Sequence, residues 1–150
     1  LAAALRDAFR FRDVILVFGC LADKDVEGML AAFADVASHV VLTPAPSERS
    51  ADMDRMRAAA EAAFGPRGVH VEVAGDVGDA LALAMSITGP ADAVVVTGSI
   101  TTVGVAREHL SPVDVMRAEE DAIDGMRTLL VGLGGEGEGS EDEGAEDSTR

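Results

Sequence analysis

The chain has 150 residues, a single cysteine and a formal net charge of −15, and nearly half of its residues are hydrophobic. One cysteine excludes an internal disulfide and a cysteine-based metal cage, and the acidic surface argues against nucleic acid and anionic membranes, because both repel it. No apolar run approaches the roughly 18 residues that span a bilayer, so we expect a cytoplasmic protein with one core.

Apolar runs and helical patterns alternate along the chain. Strands are predicted at Val14–Phe18, His39–Leu42, Val69–Val73 and Ala93–Val96. Helices are predicted at Leu1–Phe11, Val26–Val36, Ala51–Phe64, Val77–Ile87 and Thr102–His109, with N-caps at Asp25, Ser50 and Asp76. Strands that alternate with helices of this length favour right-handed crossovers and parallel pairing. The sequence therefore predicts an α/β fold, a Rossmann-like three-layer sandwich with a mostly parallel sheet.

The periodic pattern weakens after residue 110. We expect an α/β domain over residues 1–110, and a C-terminal helix with an apolar segment over residues 111–133. Residues 134–150 are rich in Gly, Glu and Asp and have almost no apolar side chains, so they are predicted to form a disordered acidic tail. A tail that binds a partner and a linker to a further domain are alternatives.

The acid excess is not confined to the tail. Seven acids and one arginine give residues 136–150 a charge of −6, which leaves −9 on the rest of the chain. Acid-rich, lysine-poor surfaces stay hydrated in concentrated salt, so halophilic origin is one interpretation. A GC-rich genome would explain the abundance of Arg and Ala without salt.

Ligands of open parallel sheets bind outside the carboxyl ends of the strands. The loops at that edge are residues 19–25, 43–50, 74–76 and 97–102. The first contains Lys24, the only lysine of the chain, whose ammonium can pair with a carboxylate or be neutralised by Asp23 and Asp25. The fourth contains Ser99, whose hydroxyl can bind an anion or cap the following helix, a role that Thr101 could also fill.

The sequence contains neither nucleotide-binding fingerprint: there is no GxxxxGK[ST] loop, and Gly19 stands alone after the first strand instead of opening a GxGxxG motif. His39, His70 and His109 have no metal-ligand spacing. No Ser/His/Asp set is recognisable either. We therefore predict no catalytic residue and no metal ligand within this chain.

Three motifs, in order and in register over about residues 1–110, resemble one family. Residues 18–30 (FGCLADKDVEGML) resemble the FGxLxDKDxxxML segment of the folylpolyglutamate/dihydrofolate synthases, which belong to the Mur ligase superfamily. Residues 43–49 resemble its T…P…R loop, and residues 97–107 its TGSLYxVGxxR segment. The departures are Ile100-Thr101 in place of Leu-Tyr, and the acidic tail.

The resemblance implies a Mur ligase C-terminal domain that supplies the glutamate site. By analogy with the superfamily, Lys24 would pair with a carboxylate of the incoming amino acid, and Ser99 would hold the same substrate. Asp23 and Asp25 would orient Lys24 or cap the helix. The supporting residues that the matched motifs add are Thr97, Gly98 and Arg107.

The family's enzymes activate a pteroate or folate carboxylate with ATP as an acyl phosphate, which the amine of L-glutamate attacks. The resemblance implies that ATP and Mg²⁺ are bound mainly by an ATPase domain upstream of Leu1, together with a DGAHNP-like segment. The chain alone should then be inactive. A standalone Rossmann-like ligand-binding or regulatory module, and a truncated gene product, are the alternatives.

Overall fold

A computed structural model describes residues 1–8 and 11–110 of the chain. The helices are α1 (Ala2–Ala8), α2 (Val26–Ala31), α3 (Met53–Phe64), α4 (Val77–Ile87) and α5 (Ile100–His109), and a 3₁₀ turn over Gly65–Arg67 follows α3. The strands are β1 (Val14–Gly19), β2 (His39–Leu42), β3 (His70–Val73) and β4 (Ala93–Gly98). The predicted helix and apolar segment of residues 111–133 and the predicted tail of residues 134–150 lie outside the described residues.

The four strands form one sheet in the order β3-β2-β1-β4. Every pair of neighbouring strands within the described residues is parallel, which confirms the predicted Rossmann-like α/β fold. The strand β1 lies inside the sheet and is buried at all six positions, as expected for a continuous apolar run with helices on both faces. The strand β4 lies at the edge and is only half-buried along its length.

Alternate side chains of β1 enter two separate hydrophobic clusters, because successive residues of a strand point to opposite faces. Leu16 and Phe18 pack with side chains from α2 and α3. Ile15 and Val17 pack with Ala80 and other side chains of α4 and with valines of the neighbouring strands. These two clusters hold the three layers together, and they leave the carboxyl ends of the strands open for loops.

Two of the predicted caps are confirmed. The Asp25 carboxylate accepts a hydrogen bond from the Gly28 N–H at 3.0 Å and begins α2. The Asp76 carboxylate accepts one from the Asp79 N–H at 2.8 Å and begins α4. Short polar side chains at these positions satisfy N–H groups that have no partner within the helix.

Several predicted helix boundaries were wrong. Asp52, not Ser50, caps α3, because the Ser50 hydroxyl instead accepts from the Ala45 N–H at 3.0 Å within the preceding loop. The helix α2 ends five residues early, since residues 32–36 continue as turns, such as the one closed by the Phe33 N–H and the Leu30 carbonyl. The helix α5 begins two residues early, at Ile100.

Candidate functional site

The carboxyl ends of β1 and β4 meet at one edge of the sheet. Gly19, the last residue of β1, is directly paired with Gly98, the last residue of β4. The segments that carry Lys24 and Ser99 therefore leave the sheet side by side. We call residues 20–25 the Lys24 loop and residues 97–100 the Ser99 turn.

A narrow seam joins these two strand ends. Gly98 has a φ of 110°, and a Cβ atom added there would lie 2.5 Å from the Gly19 carbonyl oxygen. The Thr102 hydroxyl, fully buried, donates to the same oxygen at 2.8 Å. Glycine is needed at position 98 both for the backbone conformation and for the close approach. The seam fixes the start of α5 against the end of β1.

Main-chain hydrogen bonds hold the Lys24 loop from the side. The Ala22 N–H donates to the Arg49 carbonyl, and the Ala51 N–H donates to the Cys20 carbonyl, each at 2.9 Å. The loop that follows β2 thus lies against the loop that follows β1. Because these bonds involve backbone groups, they define the path of the chain independently of the side chains.

Within its loop, the Lys24 backbone is bonded on both sides while its side chain is exposed. Its N–H donates to the Leu21 carbonyl at 3.1 Å, and its carbonyl accepts from the Val26 N–H at 3.0 Å. The carboxylate of Asp23 pairs with Arg49 at 3.4 Å, and that of Asp25 caps α2. No hydrogen bond or ion pair holds the Lys24 ammonium within residues 1–8 and 11–110, so it faces solvent.

Ser99 is the N-cap of α5. Its hydroxyl oxygen accepts from the N–H groups of Thr101 and Thr102 at 3.2 and 3.4 Å, and it lies 2.5 Å from the Thr101 hydroxyl. The sequence left open whether Ser99 caps the following helix or binds an anion, and the structure shows that it caps α5. Ser99 is half-buried and lies beside the first turn of α5, where helix N–H groups favour negative charge.

The predicted supporting residues Thr97, Gly98 and Arg107 lie in different parts of the structure. Thr97 and Gly98 form the last two positions of β4 and are paired with Phe18 and Gly19. Arg107 lies in the last turn of α5, eight residues beyond Ser99, which corresponds to roughly 12 Å along the helix axis. Arg107 is therefore not part of the group that the sheet edge brings together, and its role stays a prediction.

Two arginines near the Lys24 loop were not among the predicted site residues. Arg49 pairs with Asp23 and is exposed. Arg55, in the first turn of α3, bonds Glu27 through two nitrogens at 3.0 and 2.8 Å and also contacts carbonyls of the Lys24 loop. No local pattern marks Arg55, because its partners are about 30 residues away in the sequence.

Two ionisable groups, one in the Lys24 loop and one just after it, have shifted pKa values. The Glu27 carboxylate accepts hydrogen bonds from the Arg55 guanidinium, and these bonds lower the pKa of Glu27. Burial raises the pKa of the Cys20 thiol, which lies 4.0 Å from the sulfur of Met56. Glu27 is thus held as an anion that neutralises Arg55, whereas Cys20 is held as a neutral thiol.

The described part of the chain has neither a candidate metal-binding cluster nor a candidate membrane-spanning helix. No group of three or more His, Cys, Asp or Glu residues within residues 1–8 and 11–110 is placed to hold a metal ion. None of the helices described in this range has the length and apolar character that crossing a membrane requires.

Comparison with known proteins adds a family to this geometry. The sequence model of a family described as "Mur ligase, glutamate ligase domain" matches residues 1–100. A dihydrofolate synthase/folylpolyglutamate synthase of Mycobacterium tuberculosis is 37% identical and matches over 71% of this chain and 24% of its own length. A probable bifunctional folylpolyglutamate synthase/dihydropteroate synthase of Haloferax volcanii is 35% identical, over 85% of this chain and 15% of its own length.

Among solved structures, the folylpolyglutamate synthase of Mycobacterium tuberculosis complexed with ADP and AMPPCP is similar to this chain. The TM-score is 0.65 and the identity 37%, over 71% of this chain and 25% of that structure. The chain thus spans about a quarter or less of the length of the relatives that it matches.

Proposed function

Because the chain belongs to the Mur ligase family, whose glutamate ligase domain it matches, we propose that it is the glutamate-binding C-terminal domain of an ATP-dependent ligase. The names of its relatives support an enzyme that joins L-glutamate to dihydropteroate or folate, and we propose that this enzyme is cytoplasmic. The activity belongs to a longer polypeptide, since the chain corresponds to 24% of the first of those relatives.

The observation that carries the proposal is the exposed Lys24 ammonium on a loop with a fixed backbone. It has no partner among the described residues, and its loop leaves the sheet at Gly19, which is paired with Gly98 of the Ser99 turn. A carboxylate binds a cation and hydroxyl or N–H donors by short, charge-assisted hydrogen bonds. A dicarboxylic amino acid offers two such groups, one for Lys24 and one for Ser99 and the first turn of α5.

The described residues lack the two features that would hold the phosphates of ATP or a Mg²⁺ ion. The sequence has no phosphate-binding loop, and the described part of the chain has no carboxylate or histidine cluster that could hold a metal ion. We therefore assign both cofactors, and the pteroate or folate substrate, mainly to the upstream ATPase domain of the same polypeptide. The contribution of this chain is to bind glutamate and to orient its amine.

Substitution of Lys24 in the full-length ligase tests the assignment. Lys24→Ala should raise the KM for L-glutamate at least about tenfold, because it removes a charge-assisted hydrogen bond from the substrate. The KM for ATP should stay within about twofold. Arg57→Ala, which removes an exposed cation of α3, is the matched control. Equal effects of Lys24→Ala on both KM values would remove Lys24 from the glutamate site.

The coding sequence upstream of Leu1 tests the wider proposal. An in-frame phosphate-binding loop followed by a DGAHNP-like segment would support the ligase. An unrelated domain there would contradict it and would favour a standalone Rossmann-like binding module.

The proposal includes adaptation to salt, which the net charge of −15 supports. Mutual repulsion of the acids destabilises the folded chain at low ionic strength, and salt screens it. The free energy of unfolding should therefore rise when KCl is increased from 0.1 M to 2 M. A free energy that is unchanged or falls over this range would contradict the adaptation.

A further inference from the structure

Arg55 connects three segments around the Lys24 loop. Its side chain comes from the first turn of α3, where the Asp52 carboxylate accepts from the Arg55 N–H at 3.0 Å and so fixes the backbone. The guanidinium donates to the carbonyl of Ala22 at 3.3 Å and to that of Lys24 at 3.5 Å. It therefore spans the middle of the loop, although the Arg55 side chain stays 41% exposed.

Glu27 fixes the direction of this guanidinium. Its two carboxylate oxygens accept from two nitrogens of Arg55, at 3.0 and 2.8 Å. A paired fork of this kind restricts the rotation of both side chains. Because Glu27 lies in the first turn of α2, directly after the loop, Arg55 holds the loop both at its carbonyl groups and at its exit.

The same bonds make Arg55 a poor ligand for a substrate anion. Its charge is compensated by Glu27, and several of its donors are used within the protein. Lys24, in contrast, has an exposed ammonium and a backbone bonded through both its N–H and its carbonyl. The arrangement separates a group that can meet the substrate from a group that can only set its position.

We infer that Arg55 is a positioning residue that fixes the Lys24 loop and so determines where the Lys24 ammonium meets a carboxylate of glutamate. The inference rests on the proposed function and adds to it the residue that holds the ligand-binding loop. Binding groups need such support, because a displacement of about 1 Å weakens their contact with the substrate.

Steady-state kinetics of the full-length ligase test the inference. Arg55→Ala should raise the KM for L-glutamate about fivefold, since it removes exposed but multiple hydrogen bonds. The KM for ATP should change less than about twofold. Arg67→Ala is the matched control: Arg67 makes a similar carbonyl bond and ion pair, to Ala34 and Asp35, away from the loop, and it should leave both values unchanged.

Glu27→Gln separates positioning from charge and leaves the Arg55 side chain itself unchanged. Removal of a negative charge near the site would lower the KM for glutamate if Arg55 acted by attraction. Positioning predicts a rise instead, because the guanidinium loses the partner that orients it. A fall in KM for Glu27→Gln, or an unchanged KM for Arg55→Ala, would overturn the inference while the assignment of Lys24 stands.

The double variant connects the effect to Lys24. In a Lys24→Ala background, Arg55→Ala should add less than about twofold to the KM for glutamate, because the group that it positions is gone. An undiminished effect would show that Arg55 acts independently of Lys24 and would overturn the inference. If Lys24→Ala alone had no effect, the proposed function would fail first, and the two failures are thereby distinguished.

Discussion

The Lys24 loop and the Ser99 turn leave neighbouring strands at one edge of the sheet, but different interactions hold them. The Lys24 loop follows β1, which is buried at every position, and is bonded to the loop after β2 and to Arg55. The Ser99 turn follows β4, a half-exposed strand at the sheet edge. It depends on one glycine, one cap and one buried hydroxyl. Several hydrogen bonds together restrain the Lys24 loop, whereas each restraint on the Ser99 turn depends on a single group.

The largest effect on stability is expected at Gly98, because other residues rarely adopt its backbone conformation. Gly98→Ala should lower the free energy of unfolding by at least about 2 kcal/mol, from the positive φ and the collision with the Gly19 carbonyl. Chemical denaturation of the chain measures this. Gly104→Ala, within α5 and with nothing near the added carbon, should instead stabilise by about 0.5–1 kcal/mol. A small effect at Gly98 would show that the Ser99 turn can rearrange.

Thr102→Val is expected to come next. The substitution keeps the shape but leaves the Gly19 carbonyl oxygen without its side-chain donor, which should cost about 1–3 kcal/mol of unfolding free energy. Thr101→Val, at the exposed neighbouring position, should change it by less than about 0.5 kcal/mol. If the two valine variants were equally stable, the buried hydroxyl would not be what joins α5 to β1.

Ser99 allows capping and substrate binding to be separated. Ser99→Ala should destabilise by about 1 kcal/mol, whereas Ser99→Gly should cost only about 0.3 kcal/mol, because glycine is tolerated at an N-cap. Both variants lack the hydroxyl, so the KM of the full-length ligase for glutamate should rise equally in both. A KM that follows stability instead would assign Ser99 to capping alone.

The smallest effect concerns the pH dependence of the Lys24 loop. The pKa of Glu27 is lowered in the folded chain by Arg55, so its stabilising contribution is complete above the ordinary pKa of 4.5 and is lost as the pH falls through the lowered value. Unfolding free energies of the native chain and of Glu27→Gln should therefore differ at pH 6 and converge at lower pH. A difference that does not shrink as the pH falls below 4.5 would mean that charge on Glu27 is not involved.

The fold was predictable because apolar runs carry most of its information. The residues of β1 and β2 read as buried strands, and the alternation with helices favoured parallel pairing. The register that pairs Gly19 with Gly98 was not predictable, since it follows from which strands become neighbours. Ser50 shows the same limit: its hydroxyl had two competing uses, and the path of the loop after β2 decided between them.

The candidate site was predictable only where a residue type is informative by itself. Lys24 was recognisable because it is the only lysine of the chain and follows a strand. Ser99 was recognisable because its hydroxyl precedes a helix. Arg55 gave no signal, because arginine in the first turn of a helix is common and its role arises from the packing of α2 against α3. Its bonds to the Lys24 loop cross about 30 residues of sequence.

The buried thiol of Cys20 can be used to measure opening of the Lys24 loop. It is the only thiol of the chain, it has no exposed surface, and burial raises its pKa. Thiol reagents attack the exposed thiolate, so alkylation of the folded chain has to wait for the Lys24 loop to open. The rate of alkylation therefore reports how readily the loop opens without an engineered label, and the proposed function predicts that glutamate slows it.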